Sequence, residues 1–320
     1  MNISKGLKNL KRAFVILLFL LCLCTACTAE TRINEEKTTK EQPPQIRMTK
    51  YIKDLTSDEL AGRRTGSRGE AKAALYLARH LKRWGIQPAG EENTYFQSFS
   101  VGEITPVQLE KRMTLRLNQN KKNDFSENVL GIIPGKSEEI VIISAHYDHL
   151  GVIEDNIYPG ANDNASGTAI LLELVSFLSE NTPRYTVLLG FWGGEEAGLL
   201  GSNYFTDNFT VPEERINCII NLDSLGNLRE DKKLVGWKSC ENSYSIAVIE
   251  ELTKAGWEIT WEVTSRHNSD HWPFAKKGIA GFTLLSPYWL LDNHSPEDTI
   301  DNIKIELLSR FVDDIKKILI

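Results

Sequence analysis

Residues 139–149 read Glu-Ile-Val-Ile-Ile-Ser-Ala-His-Tyr-Asp-His. The β-branched run makes a buried strand, and the polar residues behind it put His146, Asp148 and His149 at its carboxyl end. The pattern recurs along the chain. Tyr185-Thr-Val-Leu-Leu-Gly-Phe-Trp192 runs into Gly193-Gly194-Glu195-Glu196, Ile216–Leu222 delivers Asp223, and Ile279–Leu285 leads within ten residues to Asn293-His294-Ser-Pro-Glu-Asp298. Helical periodicity fills the gaps, over 165–179, 243–255 and 303–319. An earlier helix has Ala73, Leu77, Leu81 and Trp84 on one face, stops at Gly85, and follows a capping pattern at Thr56-Ser57-Asp58-Glu59. Residues 95–129 alternate weakly, as at Met113-Leu115-Leu117, which suits a hairpin or an edge strand. Strands alternating with helices predict an α/β domain, a mixed and mostly parallel central sheet with helices on both faces.

Ligands of open α/β sheets bind outside the carboxyl ends of the strands. That rule sets His146, Glu195, Glu196, Asp223 and His294 along one edge. Asp163, in the glycine-bounded turn Pro159-Gly-Ala-Asn-Asp-Asn-Ala-Ser-Gly167, faces the same crevice if the turn enters it. Singly, a strand-end histidine is a surface residue, an Asp before a helix is a cap, and Glu-Glu is a solvated pair. Together they supply too many carboxylates for one structural zinc, which takes four ligands and usually includes Cys. They suit two hydrated zinc ions about 3.5–4 Å apart sharing a carboxylate.

In this order, the segments resemble the co-catalytic zinc aminopeptidases, the family of secreted bacterial leucyl-type enzymes and glutamate carboxypeptidase-like relatives. The resemblance spans roughly residues 48–320 and includes Leu55-Thr-Ser-Asp-Glu-Leu-Ala-Gly-Arg63 with Thr65-Gly66, and Trp84-Gly85-Ile86-Gln-Pro-Ala-Gly90. It implies a zinc-dependent exopeptidase acting on the N-terminus of peptides, with the metal site at the carboxyl ends of the strands. Asp163 then bridges two zinc ions (Zn2+), His146 and Asp223 complete one site, and Glu196 and His294 complete the other. Glu195 is the general base, and Asp148 holds the His146 imidazole in the tautomer that presents a lone pair to zinc. The chemistry agrees, since zinc lowers the pKa of water towards about 7 and a nearby carboxylate can carry the released proton to the leaving amine. Ser269-Asp270-His271-Trp-Pro-Phe274 is also like a family motif. With the ligand set full, His271 and His149 are expected to stand behind the ligands or in the pocket wall. Pro287-Tyr-Trp-Leu-Leu291 either lines a pocket for an apolar N-terminal side chain or packs in the core. Some carboxypeptidase-type relatives keep the same five ligands, so the end of the peptide that is cleaved stays open, as do two other readings: a glutaminyl cyclase, which resembles a single-zinc version of this site, and a receptor-like binding module that keeps the fold without the chemistry. The latter is expected to lose ligands or the base, and none is missing. No protease-associated domain fits between Phe99 and the strand at 139.

The first 26 residues follow different physics. Lys5, Lys8, Lys11 and Arg12 precede the apolar run Ala13–Leu23, which is shorter than the roughly 20 residues that span a bilayer. Leu23-Cys-Thr-Ala-Cys27 resembles a lipobox, with Cys24 where Leu is usual. A bacterial lipoprotein signal over 1–26, a lipidated Cys27 and a polar tether through residue 47 are expected, tying a catalytic domain over 48–320 to the outer face of a cell membrane. An uncleaved anchor is the alternative, and it also places the domain outside the cytoplasm. The leader holds four of the 37 basic residues and none of the 43 acidic ones, so its removal takes the formal net charge from −6 to −10. So acidic a domain repels phosphate backbones, and peptides are expected as partners, not nucleic acid. A monomer is expected. Cys218 and Cys240, outside the leader, form a bridge or remain two buried thiols.

Overall fold

Arg47 and Met48 are buried in the first helix of the described residues, so the folded chain begins before the predicted boundary at residue 48. The computed structural model describes residues 42–109, 112–262 and 269–320. The predicted leader, Cys27 and most of the tether lie outside them. Helix α1 (Pro44–Leu55) opens on proline, whose missing N–H costs nothing in a first turn. It takes in residues 44–47, which the sequence assigned to the tether. The Arg47 guanidinium pairs with Glu173 through Nε at 2.8 Å, and a buried charge pair of this kind fixes the segment to the body. A 3-10 turn at Asp58–Arg63 has Ser57 before it without a side-chain cap. Helix α2 (Arg68–Arg83) starts instead at Ser67, whose hydroxyl accepts the Glu70 N–H.

Then follow β1 (Gln87–Pro88), the hairpin strands β2 (Phe96–Leu109) and β3 (Arg112–Ile133), β4 (Ser137–His146), and the small pair β5 (Gly151–Ile153) and β6 (Asn156–Tyr158). After them come α3 (Gly167–Leu178), β7 (Tyr185–Trp192), α4 (Leu200–Asp207), β8 (Ile216–Leu222) and β9 (Lys233–Lys238). The chain ends with α5 (Ser243–Lys254), β10 (Glu258–Glu262), α6 (Trp272–Lys276), β11 (Ala280–Leu285) and α7 (Ile305–Leu319). No helix of the described residues is long and apolar enough to cross a membrane.

Among the described residues the large sheet runs β1-β3-β7-β4-β8-β11-β9-β10, with β2 on β3. Its centre, β7-β4-β8-β11, is parallel, while β3 is antiparallel to its neighbours and β11 to β9. The edge pair β9-β10 is parallel too, but the parallel strands of the centre are the ones with both faces covered, as buried parallel strands require. The strand period of two sorts the side chains. Val141, Ile143 and Ala145 join the core with α1, α2, α3, α5 and α7, whereas Ile140 and Ile142 meet Trp192, Phe205 of α4 and Phe274 of α6 on the other face. Both cysteines are free, Cys218 buried and Cys240 exposed, which rules out the bridge and also two buried thiols. In register, His146 is level with Trp192, and Asp223 follows directly on Leu222, the partner of Leu284. The four parallel strands thus end together on the residues singled out above.

Candidate metal centre

His146 closes β4, and its Nε2 lies 3.3 Å from Asp163 Oδ1 and 3.6 Å from Asp223 Oδ1. His294 Nε2 lies 3.2 Å from the other oxygen of Asp163, Oδ2, and 3.0 Å from Glu196 Oε2. Asp163 therefore turns one oxygen to each imidazole. Ligand atoms of His149, Asp163, Glu196 and His294 lie within 4.8 Å of one another, as do those of His146, Glu195 and Asp223. The His146 Nε2 is buried without a hydrogen-bond partner. Orphaned imidazole nitrogen beside converging carboxylates is the donor set that zinc takes, so the residues fit that ion.

The turn carrying Asp163 is held from three sides. Gly160 takes the left-handed conformation at φ 60°, where a Cβ would run into the Asp163 carbonyl and the His149 ring. The Asp298 carboxylate accepts the N–H groups of Asn162 at 2.8 Å and Asp163 at 3.0 Å, and Asn293 donates to Asp163 Oδ2. Arg63, fully buried, donates to the carbonyls of Tyr147 at 2.7 Å, Pro159 at 2.8 Å and Gly160 at 3.0 Å, which ties the end of β4 to this turn. Burial pushes its pKa down to about 10. Arg63 ends the segment Leu55–Arg63 and Asp298 the segment Asn293–Asp298, but only the tertiary contacts reveal what they hold.

Asp148 faces both His146 and the end of β7. The His146 Nδ1 lies 3.3 Å from the Asp148 carbonyl and 3.7 Å from its carboxylate, so both oxygens stand on the side of the ring away from the other ligands. The carboxylate also accepts the N–H groups of Glu195 at 3.0 Å and Glu196 at 3.3 Å and the Thr65 hydroxyl at 2.7 Å. It thus fixes the Glu-Glu turn at the end of β7. His294 is oriented from a quarter to which the sequence assigned no role, its Nδ1 lying 2.6 Å from the Met113 carbonyl on β3. His149 Nδ1 holds Glu196 Oε1 at 2.9 Å. In the motif at 269–274 it is Ser269 that serves the site, donating to Asp223 Oδ2 at 2.8 Å. His271 is bonded to Thr283 at 2.7 Å, with burial pushing its pKa down to about 4.

The electrostatics call for cations. Burial disfavours charge on His146 and His294, yet the surrounding carboxylates outweigh it and raise both, His294 to about 10. Burial likewise opposes ionisation of Asp163 and Glu196, but the imidazoles reverse it, taking Glu196 down to about 2. Glu195 differs. Burial, with repulsion from Glu196, Asp270 and Asp223, raises its pKa well above the carboxylate range, against the pull of His146. A carboxyl so placed readily accepts a proton.

These groups form the floor of a cavity of about 670 Å³, walled by Leu109, Arg112 and Thr114 of the hairpin, by Leu199, and by Trp237, Leu285 and Trp289. Of Pro287–Leu291, Trp289 lines it. Tyr288 stacks against Arg229 at 3.4 Å, and Leu290 and Leu291 are exposed.

Residues 128–319 match the profile of Peptidase family M28. An aminopeptidase of Bacillus subtilis, YwaD, is 32% identical over 216 residues, covering 63% of this chain and 45% of the relative. The match spans less than half the length of that relative. A solved zinc aminopeptidase from Bacillus subtilis superposes with a TM-score of 0.68 at 19% identity, over 86% of this chain and 94% of the other. A glutaminyl cyclase from Bacteroides thetaiotaomicron bound to N-acetylhistamine gives 0.61 at 19% identity, over 86% and 97%. At such identities the likeness is one of fold, an α/β sheet flanked by helices.

Proposed function

This chain belongs to Peptidase family M28, and from that premise we propose that it is a zinc-dependent aminopeptidase releasing N-terminal residues from peptides. The observation that carries this is Asp163, with one carboxylate oxygen towards His146 and the other towards His294. Asp163 would be shared between two zinc ions, with His146 and Asp223 holding one and Glu196 and His294 the other. Bound zinc supplies a Lewis acid for the scissile carbonyl and an acidified water as nucleophile. The chain's own residues do the rest. Glu195, held by the Asp148 carboxylate, takes the proton of the attacking water and returns it to the leaving amine. The Met113 carbonyl, the Asp148 carbonyl and the His149 ring keep the donor atoms aimed inward, and Trp237, Leu285 and Trp289 offer an apolar wall to the substrate. A lipid on Cys27 tethers this monomeric domain to the outer face of a bacterial membrane.

The test is zinc per chain by mass spectrometry on protein from residue 28, followed by aminoacyl p-nitroanilides, dipeptides and a peptide with N-terminal Gln. Two zincs with release of N-terminal residues is the expected result. One zinc with cyclisation of the Gln peptide establishes a glutaminyl cyclase in its place.

A further inference from the structure

Arg112 stands at the start of β3, opposite the metal centre, and is the Lys or Arg that lines the cavity among the described residues. Its Nη2 lies 3.0 Å from His294 Nε2, and its guanidinium lies 5.5 Å from the Trp289 ring. No carboxylate of the described residues is within ion-pair distance of it, and its Nε is buried without a hydrogen-bond partner. The neighbouring Met113 carbonyl lies against His294 Nδ1, so the nitrogen that Arg112 meets is Nε2, the one turned to Asp163 and Glu196. His294 would hold metal through this same Nε2, and the guanidinium would then have no acceptor there among the described residues.

The charges point the same way. Two divalent ions would balance the four carboxylates that line the cavity, Asp163, Glu195, Glu196 and Asp223, and Arg112 would then be a cation at the rim with no carboxylate partner among the described residues. A cation that close to bound metal is repelled by it, a cost that an anion arriving with the substrate removes. A guanidinium matches a carboxylate through two parallel N–H donors, and the Trp289 face holds it while leaving its edge free. One extended residue spans about 3.3–3.6 Å, so a group this near His294 reaches a carboxylate within a residue or two of the cleaved bond.

We propose that Arg112 is a receptor for a substrate carboxylate, and that the cavity selects peptides carrying one next to the scissile bond, either the free C-terminus of a very short peptide or an acidic side chain. The proposal rests on the two-zinc aminopeptidase reading and narrows its substrates. It also accounts for the long hairpin, whose strand both orients His294 and presents Arg112.

The experiment uses zinc-loaded Glu195→Gln protein, titrated calorimetrically with Leu-Gly against Leu-Gly amide and with Leu-Asp amide against Leu-Asn amide, then repeated with Arg112→Gln added. The carboxylate member of at least one pair is expected to bind about tenfold tighter or more, the worth of one charge-assisted contact, and Arg112→Gln to remove the difference. Preference in the first pair assigns the C-terminus, and preference in the second assigns the side chain. Equal binding within both pairs, a preference that survives Arg112→Gln, or no peptide binding at all overturns the proposal. Parallel assays of the otherwise unaltered protein separate the two readings. Hydrolysis of Leu-p-nitroanilide without carboxylate preference removes only the role of Arg112. Arg112-dependent binding without any hydrolysis removes only the peptidase.

Discussion

The backbone nitrogen of Glu195 donates to the Asp148 carboxylate at 3.0 Å, so the end of β4 holds the turn at the end of β7. With the Glu196 N–H and the Thr65 hydroxyl on the same group, Asp148 is an acceptor three times over. In Asp148→Asn one oxygen becomes an NH2, and at least one backbone N–H is left facing a donor. Activity is expected to fall about 10–100-fold and zinc affinity to fall with it, because Glu196 moves too. Steady-state kinetics and a zinc titration check this, and a variant unchanged in both would show that the turn holds itself.

Glu195→Gln tests the proposed division between a proton carrier and the metal ligands. Zinc content is expected to stay at the level of the unaltered protein while kcat drops by about 10²–10⁴. Retained activity would assign the proton to another group.

His80 predicts an acid limb of stability. It lies against Tyr51 and Tyr76, at ring separations of 5.1 and 4.5 Å, and burial first, then Arg83, pushes its pKa down to about 4. In the unfolded chain the value is about 6.5, so as pH falls the unfolded state takes the proton first. The contribution is full above about pH 6.5 and is lost between there and pH 4. His80→Phe should therefore gain on the unaltered protein by on the order of 3 kcal/mol over that window. Urea unfolding at pH 7 and pH 4.5 measures it, and parallel pH profiles of the two proteins would rule it out.

Arg47 tests where the domain begins. Its removal leaves Glu173, buried on α3, with Lys316 at 3.2 Å as its remaining ion pair among the described residues. Arg47→Ala is expected to cost about 3–5 kcal/mol, the usual result of breaking a buried pair from one side. A chain starting at residue 48 should lose at least as much relative to one starting at residue 42, read from denaturant midpoints. Equal midpoints would make α1 dispensable.

Much of the site was legible because strands announce themselves locally. Four apolar runs ending in polar residues suffice to place His146, Glu195, Glu196, Asp223 and His294 on one edge once the sheet is taken as parallel there. Asp163 was legible from its glycine-bounded turn. The weakly patterned stretch around residue 113 was not. Hairpin residues reach the site by crossing space, and nothing near Met113 or Arg112 in the sequence records that His294 lies against them. The same holds for Asp298, whose partners Asn162 and Asp163 are more than a hundred residues away.

By itself the sequence determined the strand ends, the donor types and their order, because periodicity and residue chemistry are properties of neighbours in the chain. Only the tertiary structure decided which carboxylate holds which atom: that Asp148 serves the Glu195-Glu196 turn, that His146 leans on a carbonyl, and that Arg112 faces the cavity. Hydrogen bonds are satisfied within about 3 Å whatever the separation along the chain, so a pattern of neighbours cannot name the partner.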